Sequence, residues 1–486
     1  MSLRGQFATN LFWAAAGSWS REAINFGIFL ALARLLGPRS YGIMGMVGIA
    51  TAIANGLLID GMTNILVREK KLERGHIDAV FWIQLTIAVA ISLLMVACSG
   101  ILGRLYGEPL VGQILPVMGA LPVLYALSGV PSALLQRDLR FRPLTVRSFV
   151  AAVVGGVVGI SLAIYGAGVW SLVAMAIAQW STTCLILWTA ADWRPGFSAT
   201  RRQVVDVLRF GVHAVGVKLL VILDQQMPRF IIGATLGATS LGYFTIAWRI
   251  IEVLSLLTIT PIGSVMVPTL AAVKDDRLRL MDGVGSVMEL TAAISLPSYA
   301  GLLAVAPVLL LVLTGRAWNG AIEILQLFCA FGITWALLST VDATMLIMGR
   351  MWWRTKFNVF SLALLAVMLS FTYRYGLTAI AATLVVREAV VCAVSLSALF
   401  REGLIDGMKL LRRAAPLVAA TAIMLGAVLG GERMMESVLR APIVLALSIA
   451  AGAMVFAIAM LTFSRDFPLQ VREVVFAFRG RHRTRS

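Results

Sequence analysis

Charged side chains are scarce in this sequence. Only 13% of its 486 residues are Asp, Glu, Lys or Arg, against 59% hydrophobic residues, and soluble domains carry nearly twice that share of charge. With a mean hydropathy of +0.90, the composition excludes an ordinary water-soluble globular domain. Cysteine is also rare. Cys98, Cys184, Cys329 and Cys392 stand far apart inside apolar runs and form no CxxC or metal-ligand spacing, which excludes a disulfide framework or zinc site and leaves them as small packing residues. The three histidines, His76, His213 and His482, are scattered, so no metal cluster and no cofactor motif is expected. The start, MSLRGQFATN, lacks a basic-then-apolar leader with a small-residue cleavage site, and the first long helix is expected to serve as the insertion signal. Long hydrophilic loops are missing as well, so no soluble domain is expected on either face.

The sequence does contain a series of apolar runs long enough to cross a bilayer, which takes about 20 residues per helix. They predict transmembrane spans over 9–34, 40–66, 79–103, 111–135, 146–164, 168–190, 209–234, 240–267, 284–312, 321–348, 357–373, 377–399, 414–431 and 441–463. The fold class is therefore an all-α integral membrane protein of about fourteen helices. The basic residues alternate with these spans. With the N-terminus inside, 29 of the 41 Lys and Arg fall on the cytoplasmic side and six on the other. That asymmetry predicts both termini in the cytoplasm. It also accounts for the formal net charge of +17 as topology rather than as a nucleic-acid surface. The stretch ATRRQVVDVLRF, residues 199–210, reads as an amphipathic helix leading into span seven. The basic tail, with Phe476 and Phe478, suits the anionic inner leaflet.

An internal echo sets the domain plan. Leu36-Gly37-Pro38-Arg39-Ser40-Tyr41-Gly42 returns as Leu236-Gly237-Ala238-Thr239-Ser240-Leu241-Gly242, and Tyr165-Gly166 returns as Tyr375-Gly376. Six spans separate the copies, and an even number restores the orientation. This predicts two parallel six-helix repeats around a central cavity, related by an axis along the membrane normal. The expected divisions are 1–200, an N-terminal lobe; 201–400, a C-terminal lobe; 401–465, two additional helices; and 466–486, the basic tail.

Ionisable residues inside spans are costly and are functional candidates by default. Arg34, Asp60, Glu323 and the Arg387–Glu388 pair are expected near span ends, where side chains reach the interface. Arg21 and Glu22 lie along span one, Lys218, Asp224 and Arg229 along span seven, and Arg249 and Glu252 along span eight, three residues apart on one helical face. Two readings are open for that last pair: a salt bridge that pins helices, or part of a hydrated cavity. In the cavity reading, Arg21, Arg249, Lys218 and Arg229 bind a diphosphate, since a guanidinium fork donates two hydrogen bonds at once. Asp224, Glu252 and Glu289 are then candidate ion-coupling acids. His213 is expected to be a packing residue. Pro116, Pro122, Pro131, Pro261, Pro268 and Pro297 interrupt helical hydrogen bonding and mark kinks, either static or hinging.

Five segments carry a family resemblance: ALARLLGPRSYGIMGM (31–46), ALLQRDLRFRPL (133–144), FIIGATLGATSLGYFTIAWRI (230–250), VPTLAAVKDDRLRL (267–280) and LTGRAWNGAIEILQLF (313–328). In this order they resemble the oligosaccharide flippases of the polysaccharide transporter family, in the multidrug/oligosaccharidyl-lipid/polysaccharide exporter superfamily. The branch that handles exopolysaccharides such as colanic acid and xanthan is the most similar. The resemblance implies fourteen helices in two lobes and alternating access. It implies a cargo of undecaprenyl-diphosphate-linked repeat units crossing the bacterial inner membrane, and a polymerase and a chain-length regulator as partners. Two alternatives predict other features. A cation-coupled drug exporter of the same superfamily calls for an apolar or acidic cavity with fewer central arginines. A polytopic polymerase or ligase calls for a large periplasmic catalytic loop, which this sequence lacks.

Overall fold

The computed structural model describes residues 3–58, 66, 73–435 and 439–463, with side chains from Glu22 onward except 210–215, 217, 264, 265, 351, 352, 354 and 409. Asp60, the side chains of Arg21 and His213, and the 466–486 tail lie outside the described residues. Helices are the regular secondary structure of the described residues. The helices are α1 (Leu3–Asn55), α2 (Arg74–Leu105), α3 (Pro109–Met118), α4 (Ala120–Arg137), α5 (Phe141–Ile164), α6 (Trp170–Ala190), α7 (Arg201–Ala271), α8 (Arg277–Thr314), α9 (Ile322–Ile347), α10 (Met351–Thr372), α11 (Leu377–Arg401), α12 (Gly407–Met435) and α13 (Ala441–Phe463).

Twelve stretches among the described residues are long and apolar enough to cross a membrane. The protein is a multi-pass membrane protein. Two of the long stretches are broken within: Glu22–Leu58 with 37 residues and Lys218–Ala271 with 54. At 1.5 Å per residue the second measures about 80 Å, more than twice a hydrocarbon core of about 30 Å. Each contains one non-helical residue, Gly37 (φ 72°, ψ 176°) and Gly237 (φ 80°, ψ −179°). A β-carbon is poorly tolerated at such φ values, so glycine is the residue that allows the break. The two positions are the ones aligned by the 200-residue echo. Gly166 (φ 82°) and Gly376 (φ 91°), aligned by the second echo, also share a positive φ. The expected span four is divided into α3 and α4 by Gly119, three residues after Pro116. The amphipathic segment is not separate from span seven, because α7 starts at Arg201 and runs on.

Contacts divide the chain into two compact units, residues 1–246 with 358–380, and residues 247–357 with 381–486. In the first, Gly155, Gly156 and Gly159 let α5 approach two neighbours. A β-carbon at Gly159 would stand 2.9 Å from Cβ of Met175 on α6, and one at Gly156 would collide with Ile28 on α1. Helices in lipid associate through such small-residue faces, because the solvent supplies no hydrophobic drive between them. The two echoed turns also meet. A β-carbon on Gly42 would overlap the carbonyl of Ala238, and one on Gly242 would overlap the carbonyl of Pro38. Pro38 and Ala238 correspond under the same 200-residue offset, so the crossing is reciprocal.

The segment between α6 and α7 is anchored to α2. Asp78, fully buried, accepts hydrogen bonds from the Ser198 hydroxyl (2.6 Å) and the backbone N–H groups of Gly196 (3.2 Å) and Ser198 (3.3 Å). Trp82 donates its indole N–H to the Gly196 carbonyl at 2.8 Å and stacks on Phe197. Val207 of α7 joins Phe81, Val130 and Ala133 in the core beneath. Hydrogen bonds to a charged acceptor contribute about 1.5–3 kcal/mol each, and leaving such partners unpaired costs more. Asp78→Ala is therefore expected to lower the thermal unfolding temperature of the detergent-purified protein, while Ser198→Ala, which leaves the backbone donors bonded, lowers it less.

In the second unit, Met266, Leu280, Val284, Met288, Val341 and Leu399 form one buried cluster. Ser255 and Tyr299 share a hydrogen bond at 2.6 Å, with Gly332 against the Tyr299 ring. The last two helices pack on α8: Leu417, Ala420, Ala459 and Met460 cover Ala293, and Met424 and Val428 cover Ala304 and Val305. Glu402, after α11, binds Arg350 through its carboxylate and Arg277 through its carbonyl.

Candidate functional site

The first unit contains an open cavity of about 320 Å³. Its walls include Thr51 and Asn55 of α1, Tyr125 of α4, and Lys218, Gln225 and Gln226 of α7. Helical periodicity explains the set. Thr51 and Asn55 are four residues apart, and 218, 222, 225 and 226 follow the i, i+4, i+7, i+8 pattern of one helical face. Gly56 provides the room. A β-carbon there would collide with the Ile222 side chain and stand 3.6 Å from Cε of Lys218. Tyr125 and Asn55 hydrogen-bond through their side chains, and Gln226 is nearly buried. The lining offers amides, hydroxyls and an ammonium group, and none of its residues is acidic. A polar wall whose single charge is positive is suited to an anion.

The structure sorts the sequence candidates. Lys218 lines this cavity. Arg229 continues the same face three turns further along, with Nη1 3.5 Å from Oε1 of the cavity residue Gln226. Asp224, six residues after Lys218, falls about 120° off that face by helical geometry and is not in the lining. Arg249 and Glu252 belong to the second unit and form an ion pair, Nη1–Oε2 2.8 Å, on one turn of α7. Glu289 of α8 pairs with Arg413 of α12, Nη1–Oε2 3.2 Å. The Arg387–Glu388 pair corrects an expectation. Far from a span end, it occupies the middle of the 25-residue α11, only 6% and 5% exposed, with Nη1 and Oε2 3.7 Å apart. Helix α11 begins directly after the Tyr373–Tyr375 turn, so ten residues separate the pair from its start. Arg34 and Glu323 are exposed.

Sequence reasoning followed the charges and passed over the neutral polar residues. The spacing of Thr51 with Asn55 and the Gln225–Gln226 pair beside Lys218 was the available signal. Asp78 fell one residue outside the predicted third span.

A family model described as "Polysaccharide biosynthesis protein" matches residues 31–323. The succinoglycan biosynthesis transport protein ExoT of Rhizobium meliloti is 26% identical over 65% of this chain and 64% of its own length. The chain thus spans just under two thirds of that relative. The lipopolysaccharide biosynthesis protein WzxC of Escherichia coli is 21% identical over 74% of each chain. Among solved structures, the lipid II flippase MurJ in an inward closed conformation superposes with a TM-score of 0.74, covering 93% of this chain and 99% of MurJ at 12% identity. A multidrug resistance MATE transporter of the MOP superfamily, inward-facing, gives 0.61 over 79% and 95% of the two chains at 18% identity. The fold is shared with both.

Proposed function

The chain belongs to the polysaccharide biosynthesis protein family, and from that premise we propose that it is a flippase for diphosphate-linked oligosaccharides. The observation that carries the reading is the polar cavity with Lys218 as its charged wall residue, lined by residues of membrane-crossing stretches. An ammonium group in low dielectric binds a diphosphate strongly, and the neutral amides beside it donate hydrogen bonds without competing charge. Arg229, on the same helical face, is a further diphosphate candidate, and Arg21 and Arg249 are candidates on the sequence alone. The cargo is an undecaprenyl-diphosphate-linked repeat unit carried from the inner to the outer leaflet of the bacterial inner membrane. Both termini are cytoplasmic, on the distribution of basic residues. Each glycine break separates two crossings, which gives fourteen, arranged as lobes 1–200 and 201–400 with two helices over 401–465.

In the proposed cycle the headgroup enters the inward-open cavity while the polyprenyl tail stays in lipid. The lobes then rock and release the headgroup outward. No covalent bond is made or broken. A polymerase and a chain-length regulator are the partners that consume the product. Asp224, Glu252 and Glu289 are the candidate ion-coupling acids. Transport of a fluorescent diphosphate-linked oligosaccharide in proteoliposomes tests this, with wild type compared to the triple variant Asp224→Asn, Glu252→Gln, Glu289→Gln. Loss of the dependence of rate on pH or on a Na⁺ gradient is expected. Unchanged transport with unchanged pH dependence excludes coupling through these acids.

A further inference from the structure

A second cavity, of about 290 Å³, lies within the same unit between α4, α5 and α6. Its lining includes Ser128, Ser132 and Gln136 of α4, Arg147 of α5, and Gln179 and Trp180 of α6, and no lining residue is acidic. Hydroxyls and amides among membrane-spanning helices are costly unless they are satisfied. Some of these groups serve one another. Arg147 donates to the Ser132 hydroxyl (3.3 Å) and to the Ser148 hydroxyl (3.2 Å). Ser128 is 3% exposed, lines the cavity, and its hydroxyl has no nitrogen or oxygen partner. Gln136 is exposed, one residue before the basic turn that begins at Arg137.

The two cavities are neighbours. Trp180 of the second meets Tyr125 of the first edge to face, with ring centroids 4.4 Å apart. One aromatic pair therefore stands between the ammonium-bearing wall and the hydroxyl-bearing wall. We propose that the second cavity is a sugar subsite, which takes the sugar next to the diphosphate while the diphosphate occupies the Lys218 cavity. This rests on the diphosphate reading given above. Sugar hydroxyls both donate and accept hydrogen bonds, as Ser and Gln side chains do, and the C–H face of a pyranose packs on an indole. The Ser128 hydroxyl is the lining group that a sugar hydroxyl would satisfy and an apolar ligand would leave unpaired. The volume is at the lower end of small-ligand sites, about 300–1,000 Å³. It suits about one or two sugar rings, so the rest of the repeat unit stays outside this cavity.

The test measures binding of two probes to the purified full-length protein by calorimetry: citronellyl diphosphate, and citronellyl diphosphate carrying one hexose. Wild type is expected to bind the glycosylated probe about tenfold more tightly. Gln179→Ala and Ser132→Ala are expected to erase that tenfold gain while the bare diphosphate binds as before, which also shows that the variants fold. If Gln179→Ala does not fold, Ser132→Ala on the other helix decides by the same comparison. Lys218→Ala is expected to weaken both probes. Equal binding of the two probes to wild type, or a gain that survives both substitutions, overturns the sugar subsite and leaves the diphosphate reading intact. Failure of wild type to bind either probe overturns the diphosphate reading itself.

Discussion

Lys218→Ala is expected to reduce transport of diphosphate-linked oligosaccharide by about 10- to 150-fold. A hydrogen bond to a charged partner contributes roughly 1.5–3 kcal/mol, and each 1.4 kcal/mol is a factor of ten. Among the described residues, Lys218 is the one charged residue of the cavity lining, with Arg229 next along the same helical face. The loss should appear as weaker binding of the diphosphate, because Lys218 lines the cavity. Lys218→Arg keeps the charge and is expected to recover much of the activity. It will not recover all of it, because the larger guanidinium must fit beside Ile222 and the space left by Gly56. Flux of a fluorescent diphosphate-linked oligosaccharide in proteoliposomes, normalised to folded protein, measures both variants. Unchanged flux in Lys218→Ala would separate the cavity from the substrate path.

The second large effect is structural. Gly42→Ala and Gly242→Ala are each expected to destabilise the protein by at least about 1–3 kcal/mol, the usual cost of forcing extra atoms into a packed interior. Here the obstacle is worse than a side chain. The added methyl meets a backbone carbonyl, of Ala238 or of Pro38, and a carbonyl moves only with its helix. The double variant should cost less than the two single costs combined. Once the first methyl has parted the helices, the second finds room, and contacting sites are not additive. Thermal unfolding of detergent-purified variants reads this out. Equal stability of Gly42→Ala and wild type would mean that the crossing is looser than the structure has it. Gly48→Ala is the control, since a β-carbon there meets nothing within 4 Å.

Much of this architecture was legible in the sequence, for a physical reason. In lipid every span must satisfy its backbone internally, so spans read as long apolar runs broken by polar turns. Leu36–Gly42 and Leu236–Gly242 were recognisable because a positive φ and a backbone-to-backbone approach both demand glycine, at Gly37 and Gly237 and at Gly42 and Gly242. That the two echoed turns would meet, Gly42 against Ala238 and Gly242 against Pro38, was not legible, since nothing in the spacing shows which helices cross. The separation into spans one and two, and seven and eight, was also less sharp than hydropathy suggested. The turns at Gly37 and Gly237 occupy one residue each, and helix resumes immediately.

The candidate site was legible only in part. Lys218 was found because charge in a membrane is conspicuous. Thr51, Asn55, Gln225 and Gln226 were not, because uncharged polar residues are common in spans and acquire meaning only when two helices bring them to one wall. Glu289 looked like a lone acid in α8. Its partner Arg413 lies 124 residues away, in a helix the repeat does not include. Pairing with Arg413 gives Glu289 a structural role that any coupling role would have to share. Asp78 illustrates the reverse. A carboxylate at a span edge looks solvated, yet it is fully buried, because the 196–198 backbone folds over it.

The central claim is that this chain moves diphosphate-linked repeat units across the membrane. The most direct measurement is the level of lipid-linked oligosaccharide on the cytoplasmic side of cells in which this gene is the only flippase and has been deleted, with wild type and Lys218→Ala as complements. The account predicts that diphosphate-linked repeat units accumulate and surface polymer disappears in the deletion. Wild type should restore both, and Lys218→Ala should fail to do so although the protein reaches the membrane. Normal levels of lipid-linked intermediates with normal polymer in the deletion strain would contradict it.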